Sequence, residues 1–236
     1  MQILYEDKHI LAIEKEPNMP SQPDPTGDLS AYTLADQYFK ESTANPTLSL
    51  SLMHRIDRPV GGVLLFSKTK EANQFLSKQI QNNSIRKSYF AICEGHFDVP
   101  EAEIEDYLIK LKTVNMSKVV PADTKHAQKA ILRYQVISEV EVDGRVLSLV
   151  SIQLITGRHH QIRCQMNHLG HPILGDSKYN KVSSKKDKDN NIALWSHRYS
   201  FYHPFKKDFV KIISFPNTKV APWSYFESSI KSLNEK

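Results

Sequence analysis

The chain has 236 residues, 40% hydrophobic and 24% charged, with a formal net charge of +5. These are the values of an ordinary soluble protein with a sizeable core, and the positive balance leans toward a polyanionic partner. No apolar run approaches the roughly 20 residues needed to span a bilayer, and Glu6 and Asp7 in the opening segment are unlike a signal peptide, so an intracellular, cytoplasmic protein is expected.

In chain order, residues 2–15 read as two short strands around a turn at Glu6-Asp7-Lys8, and residues 17–25 as a proline-rich crossing without regular structure. Ala31, Leu34, Ala35, Tyr38 and Phe39 recur at helical spacing and predict one buried helix face. The run His54-Arg55-Ile56-Asp57-Arg58 then stands ahead of a strand-like apolar segment, residues 62–68. Thr69 predicts the N-cap of a helix with a buried stripe of Ala72, Phe75, Leu76 and Ile80. Residues 86–93 alternate as a strand, with Tyr89, Ala91 and Cys93 on one face. The clearest hairpin runs over residues 130–155 and turns at Asp143-Gly144, a pair that favours positive φ. Its second strand feeds Thr156-Gly157-Arg158, after which a helix is expected with Ile162, Met166 and Leu169 inward and Gly170 as its stop. A lysine-rich loop at residues 181–191 and a loose end after Phe226 complete the reading. Without regular βαβ alternation the pattern predicts an α+β fold, a mixed and mainly antiparallel sheet flanked by helices and loops. It predicts one domain over residues 1–228 and a flexible tail over 229–236. Cys93 and Cys164 read as buried free thiols.

Asp57 carries the chemistry most visible in the residues themselves. Arginines on both sides favour its ionised form, and a carboxylate at the edge of a core is a candidate nucleophile or base. The bland alternative is an ion pair at a loop end. His160, Cys164 and His168 repeat every four residues as metal ligands can, but three ligands in a row on one helix do not converge on one tetrahedral ion, so no metal is expected.

The run from His54 through Asp57 to Lys68 resembles the segment around the catalytic aspartate of RluA-type pseudouridine synthases. Further blocks resemble that family in the same order: Lys87-Ser88-Tyr89-Phe90-Ala91 with Gly95, Ile155-Thr156-Gly157-Arg158-His159-His160-Gln161-Ile162-Arg163, Gly170-His171-Pro172-Ile173-Leu174-Gly175-Asp176 with Tyr179, and a weaker one over residues 193–204. Two departures stand out: Val60-Gly61-Gly62 replaces a Thr-Ser-Gly-like stretch, and Lys15-Glu16-Pro17 replaces a Lys-Pro.

The resemblance implies an RNA pseudouridine synthase that isomerises uridine in a ribosomal or transfer RNA stem-loop, without cofactor, as a monomer, and without the separate N-terminal RNA-binding domain of many members of that family. Asp57 would be the catalytic anion, Tyr89 the residue against the uracil ring and Arg158 the arginine paired with Asp57, with Arg163 the runner-up for that pairing. RNA contacts are expected from His54, Arg55, Arg58, Lys87, His160, Gln161, Arg163 and Lys178, with His54 and Arg55 bracing a flipped nucleotide. The competing reading is a non-catalytic RNA-binding protein on the same fold.

Overall fold

The computed structural model describes residues 1–43, 45, 47, 49–181 and 191–234, so most of the lysine-rich loop lies outside the described residues. The chain divides into two compact units, Met1–Lys87 with Ser196–Ser214, and Ser88–Trp195 with Phe215–Lys236.

In the first unit β1 (Gln2–Glu6) pairs antiparallel with β2 (Ile10–Lys15), and β2 with β4 (Gly61–Ser67), which also takes the short β3 (Ser51–Leu52). Beside β4 runs β10 (Leu194–Tyr202), whose end pairs antiparallel with β11 (Phe209–Ile213). β2 and β4 are apolar almost without a break because both faces are covered. One face carries the register pairs Leu11 with Phe66 and Ile13 with Leu64, and Tyr32 of α1 (Ala31–Thr43) lies against Phe66. The other face packs Ile10, Ala12, Val63 and Leu65 with Tyr199, Phe201 and Leu76 of α2 (Lys70–Gln81).

Thr69 caps α2 as the sequence predicts, its backbone extended and its hydroxyl accepting the Ala72 amide at 3.3 Å. The buried stripe differs from expectation. Ala72 and Leu76 are buried and Ile80 packs at the edge of the core, but Phe75 is 37% exposed. Gln79 takes the inward place because its amide replaces a strand partner. It donates to the Tyr202 carbonyl at 2.8 Å and accepts the Tyr202 N–H at 2.9 Å.

The second unit orders its strands β5 (Arg86–Glu94), β9 (Arg145–Leu154), β8 (Gln128–Val142), β6 (Glu101–Leu111) and β7 (Met116–Val120). The β8–β9 hairpin turns where the sequence predicts, with φ of 51° at Asp143 and 72° at Gly144. β6 and β7 form a second hairpin that pairs through β6 with β8. α3 (Gln161–His168) buries Ile162 and Met166; Leu169, expected inward, lies past its last turn and is 39% exposed. The segment expected as a loose end is helical in α4 (Glu227–Asn234), which buries Ile230. Cys93 and Cys164 are free and buried. Few helices and antiparallel pairing make the fold α+β, and no described helix is long and apolar enough to cross a membrane.

Gly62 is fixed by its surroundings. Its φ is +113°, and a Cβ there would lie 2.2 Å from the Ser196 carbonyl oxygen. The second position of β4 therefore has no room for a side chain. Gly62→Ala should lower unfolding stability by at least about 2 kcal/mol in urea titrations, from overpacking and backbone strain together. A loss under about 0.5 kcal/mol would show that β4 shifts freely.

Candidate functional site

The first unit holds Asp57, His54, Arg55, Arg58 and Lys87. Asp57 is half-buried in the loop between β3 and β4, where its carbonyl accepts the Val60 N–H at 3.0 Å to close a turn. Both of its backbone neighbours are fastened. Ser21 donates its hydroxyl to the Ile56 carbonyl at 2.7 Å and accepts the Ile56 N–H at 3.2 Å. On the other side the Lys15 amine donates to the Arg58 carbonyl at 3.0 Å, and also to Glu16 at 3.0 Å and Met19 at 2.7 Å. Lys15 is fully buried. Burial pulls its pKa down to about 7, and the Asp57 carboxylate is the largest influence pulling it back up.

Arg58 is paired within its own unit. Its guanidinium donates to the Asn18 carbonyl and the Thr26 hydroxyl, and pairs with Asp24 and Asp28, so its charge is spent on the loop after β2. His54 is also held inward, its ring stacked on Tyr199 with centroids 4.2 Å apart and its Nε2 accepting the Leu65 N–H at 3.3 Å. That bond needs the lone pair of a neutral imidazole. Burial first, and then the Lys87 charge, push the His54 pKa down to about 3. His54 is thus fixed by packing, whereas Arg55 is exposed.

The second unit holds Tyr89, Arg158, His160, Gln161, Arg163 and Lys178. Tyr89 lies on β5 and is 7% exposed. The turn ahead of α3 is locked by Gln161, whose carbonyl oxygen accepts from the Thr156 hydroxyl at 2.8 Å and the Arg158 N–H at 2.9 Å, while its amide donates to Ile131 at 3.0 Å. That use of a buried amide places Gln161 inside the turn. His160 is likewise buried, left-handed at φ 50°, and within 3.0 Å of the Tyr179 hydroxyl. It precedes α3, so it does not share a helix face with Cys164 and His168.

The two arginines differ in burial. Arg158 is exposed and donates to the Lys129 carbonyl at 2.9 Å. Arg163 is 4% exposed, and its fork grips Asp176 through two bonds of 2.8 and 2.7 Å, with the Tyr179 ring 5.2 Å away. Arg163 is therefore a buried positioning charge and Arg158 the one open to solvent. Lys178 is exposed and donates to the Asn115 carbonyl at 2.9 Å.

Sequence reasoning missed Lys15 and Asp176. The signal for Lys15 was its phase: it falls two residues after Ile13 and four after Leu11, on an inward face of β2. Asp176 ended a quoted block but had no visible partner, since its arginine lies on another element.

The family described as RNA pseudouridylate synthase matches residues 9–168. The chain is 31% identical over 229 residues to tRNA pseudouridine synthase C of Pasteurella multocida (strain Pm70), covering 90% of each protein. It is 30% identical over 238 residues to the dual-specificity RNA pseudouridine synthase RluA of Vibrio vulnificus (strain CMCP6), covering 98% of this chain and 90% of that one. The solved structure of human RNA pseudouridylate synthase domain containing 1 shares the fold, with a TM-score of 0.78 at 17% identity over 100% of this chain and 95% of its own.

Two outcomes are expected from this geometry. Lys15→Met keeps the volume but strands three carbonyls, so stability in urea should fall by about 3 kcal/mol or more; a neutral result would mean the loop is held without the amine. Because the folded pKa of His54, about 3, lies below its ordinary value of 6.5, the unfolded chain binds the extra proton between them. His54 therefore withdraws stability as pH falls from about 6.5 toward 3, and withdraws none above that range. His54→Gln should start less stable yet lose less between pH 6.5 and 4; parallel stability curves for the two proteins would contradict the buried neutral ring.

Proposed function

The chain belongs to the RNA pseudouridylate synthase family, in its RluA-type branch, and we propose that Asp57 is the catalytic carboxylate with which it isomerises uridine in transfer or ribosomal RNA. The observation that carries this reading is the fastening of the Asp57 loop: Ser21 grips the residue before it and Lys15 the residue after it. A reacting carboxylate has to be held to a fraction of an ångström, and clamping its backbone on both sides does that while leaving the side chain half-exposed.

Forming pseudouridine breaks the bond between uracil N1 and the sugar, turns the base, and joins its carbon 5 to the same sugar carbon. The proton on carbon 5 leaves in every turnover. An enzyme for this reaction needs an anion at the sugar or base, an acceptor for that proton, and a site that keeps the detached base from water. Asp57 supplies the anion in this proposal, and the buried Lys15 amine lies close enough to feel its charge. Tyr89 supplies a face for the uracil ring; the plainer reading, a core tyrosine on an alternating strand, fits its burial equally. Arg55 and Arg158, both exposed, are assigned to RNA, Arg55 to bracing a nucleotide flipped from its stack. Lys87 contributes positive charge close to the Asp57 loop, where His54 already senses it. The free buried thiols Cys93 and Cys164 fit action in the cytosol.

Asp57→Asn tests the assignment. The amide matches the carboxylate in size, so the fold and RNA affinity should persist, while the charge that drives C–N cleavage is lost. With an unmodified transfer RNA transcript tritiated at uridine carbon 5, the wild type should release tritium and Asp57→Asn none, even in long incubations with excess enzyme. Measurable release by Asp57→Asn would end the catalytic assignment.

A further inference from the structure

We propose that the tip of the β6–β7 hairpin is a docking surface for the RNA backbone, carried by Lys110, Lys112 and Lys118. This rests on the reading of the chain as an enzyme acting on RNA and adds to it a contact outside the blocks already assigned.

The hairpin is charged in two halves. Its root carries Glu101, Glu103 and Glu105, and the acids at 103 and 105 meet Arg133 at 2.7 Å and Lys129 at 2.8 Å on neighbouring β8. Its tip carries Lys110, Lys112 and Lys118, all exposed, and no carboxylate lies between residues 107 and 122 of the sequence. Among the described residues no ion pair reaches any of the three lysines, whereas Lys40, Lys129, Lys219 and Lys231 each take an acid partner. Lys178 adds a fourth positive charge by bonding the Asn115 carbonyl in the turn. In the β6–β7 register Lys110 stands opposite Ser117 and Lys118 opposite Ile109, so the tip presents positive charge on both faces of the ribbon, and a polyanion is the partner that neutralises it. Val114, 54% exposed in the same turn, gives apolar surface suited to ribose and base edges.

The tip is also anchored, which separates it from a loose basic loop. The Ser117 hydroxyl lies 2.9 Å from His159 Nδ1 and donates to the His159 carbonyl at 2.6 Å. Asn115 Oδ1 lies 3.1 Å from His159 Nε2, and the Ser117 N–H donates to the Tyr179 hydroxyl at 2.6 Å. These bonds fix the hairpin tip to the turn that presents Arg158, so a phosphate held by the lysines sits at a set distance from that guanidinium. Phosphate contacts of this kind set register and carry no sequence information.

The test is a triple variant, Lys110→Gln, Lys112→Gln and Lys118→Gln, with binding of an unmodified transfer RNA transcript measured from 50 to 300 mM salt. Three lost phosphate contacts should weaken binding at least about tenfold at 0.1 M salt and lower the slope of log affinity against log salt by about two to three. A second triple, Lys40→Gln, Lys219→Gln and Lys231→Gln, removes the same charge from ion-paired sites and should leave the slope near wild type. Equal slopes for the hairpin variant and wild type overturn the proposal, as does an equal loss in both triples. Pseudouridine formation by the wild type, followed alongside, separates the two readings. If it forms while the hairpin triple keeps the wild-type slope, only the docking surface fails. If none forms yet the slope depends on the hairpin, the enzymatic reading fails and the RNA contact stands.

Discussion

An ammonium group without any exposure is the constraint around which the first unit is arranged. Removing such a charge from water costs several kcal/mol, and the cost is met only if every N–H finds an acceptor. Lys15 has three carbonyls, from Glu16, Met19 and Arg58, and the Asp57 carboxylate near enough to counter the pull of burial on its pKa. Those acceptors belong to two separate loops, so the amine fixes one against the other. A loop that slid by an ångström would strand a buried charge, which makes its position close to all-or-none. The register continues the same constraint, since Lys15 pairs with Gly62, the residue with no room for a side chain against Ser196.

The second unit solves a similar problem with different groups. Arg163 and Asp176 bury a bidentate ion pair, and the Asp176 carboxylate also accepts the backbone amides of Lys178 and Tyr179. Both carboxylate oxygens are thus hydrogen-bonded, the condition under which a buried pair is tolerated. Gln161 and Thr156 then fold the preceding turn so that Arg158 stays outside. In the first unit a buried cation and in the second a buried amide fix backbone beside a more exposed charge: Lys15 holds the Arg58 carbonyl next to Asp57, and Gln161 holds the turn that carries Arg158.

That division of labour decided what could be read from sequence. Strands β1 and β2, the Thr69 cap and the Asp143-Gly144 turn are local, set by residues within a few positions of one another, and they appear where the pattern puts them. The α+β class followed from their order. Phe75 and Gln79 exchanged places because Gln79 bonds Tyr202, 123 residues away, and no helical periodicity contains that partner. Arg158 and Arg163 look alike beside the same helix start, and only the position of Asp176, thirteen residues on, buries one of them. β6 alternates acids with apolar residues and gains its place only by pairing with β7 and β8, the second of which begins seventeen residues after β6 ends.

A net charge of +5 is a weak guide to RNA binding, because much of the positive charge is already committed. Arg58 is held by Asp24 and Asp28, Arg163 by Asp176, Arg133 by Glu103, Lys68 by Glu6 and Lys206 by Asp7. Each such pair is nearly neutral beyond a few ångströms and contributes little to the field a polyanion meets. Attraction at a distance therefore comes from the cations left over, and its strength depends on how closely they gather. The sequence shows which residues are cations; only the fold separates those that hold the protein together from those available to hold something else.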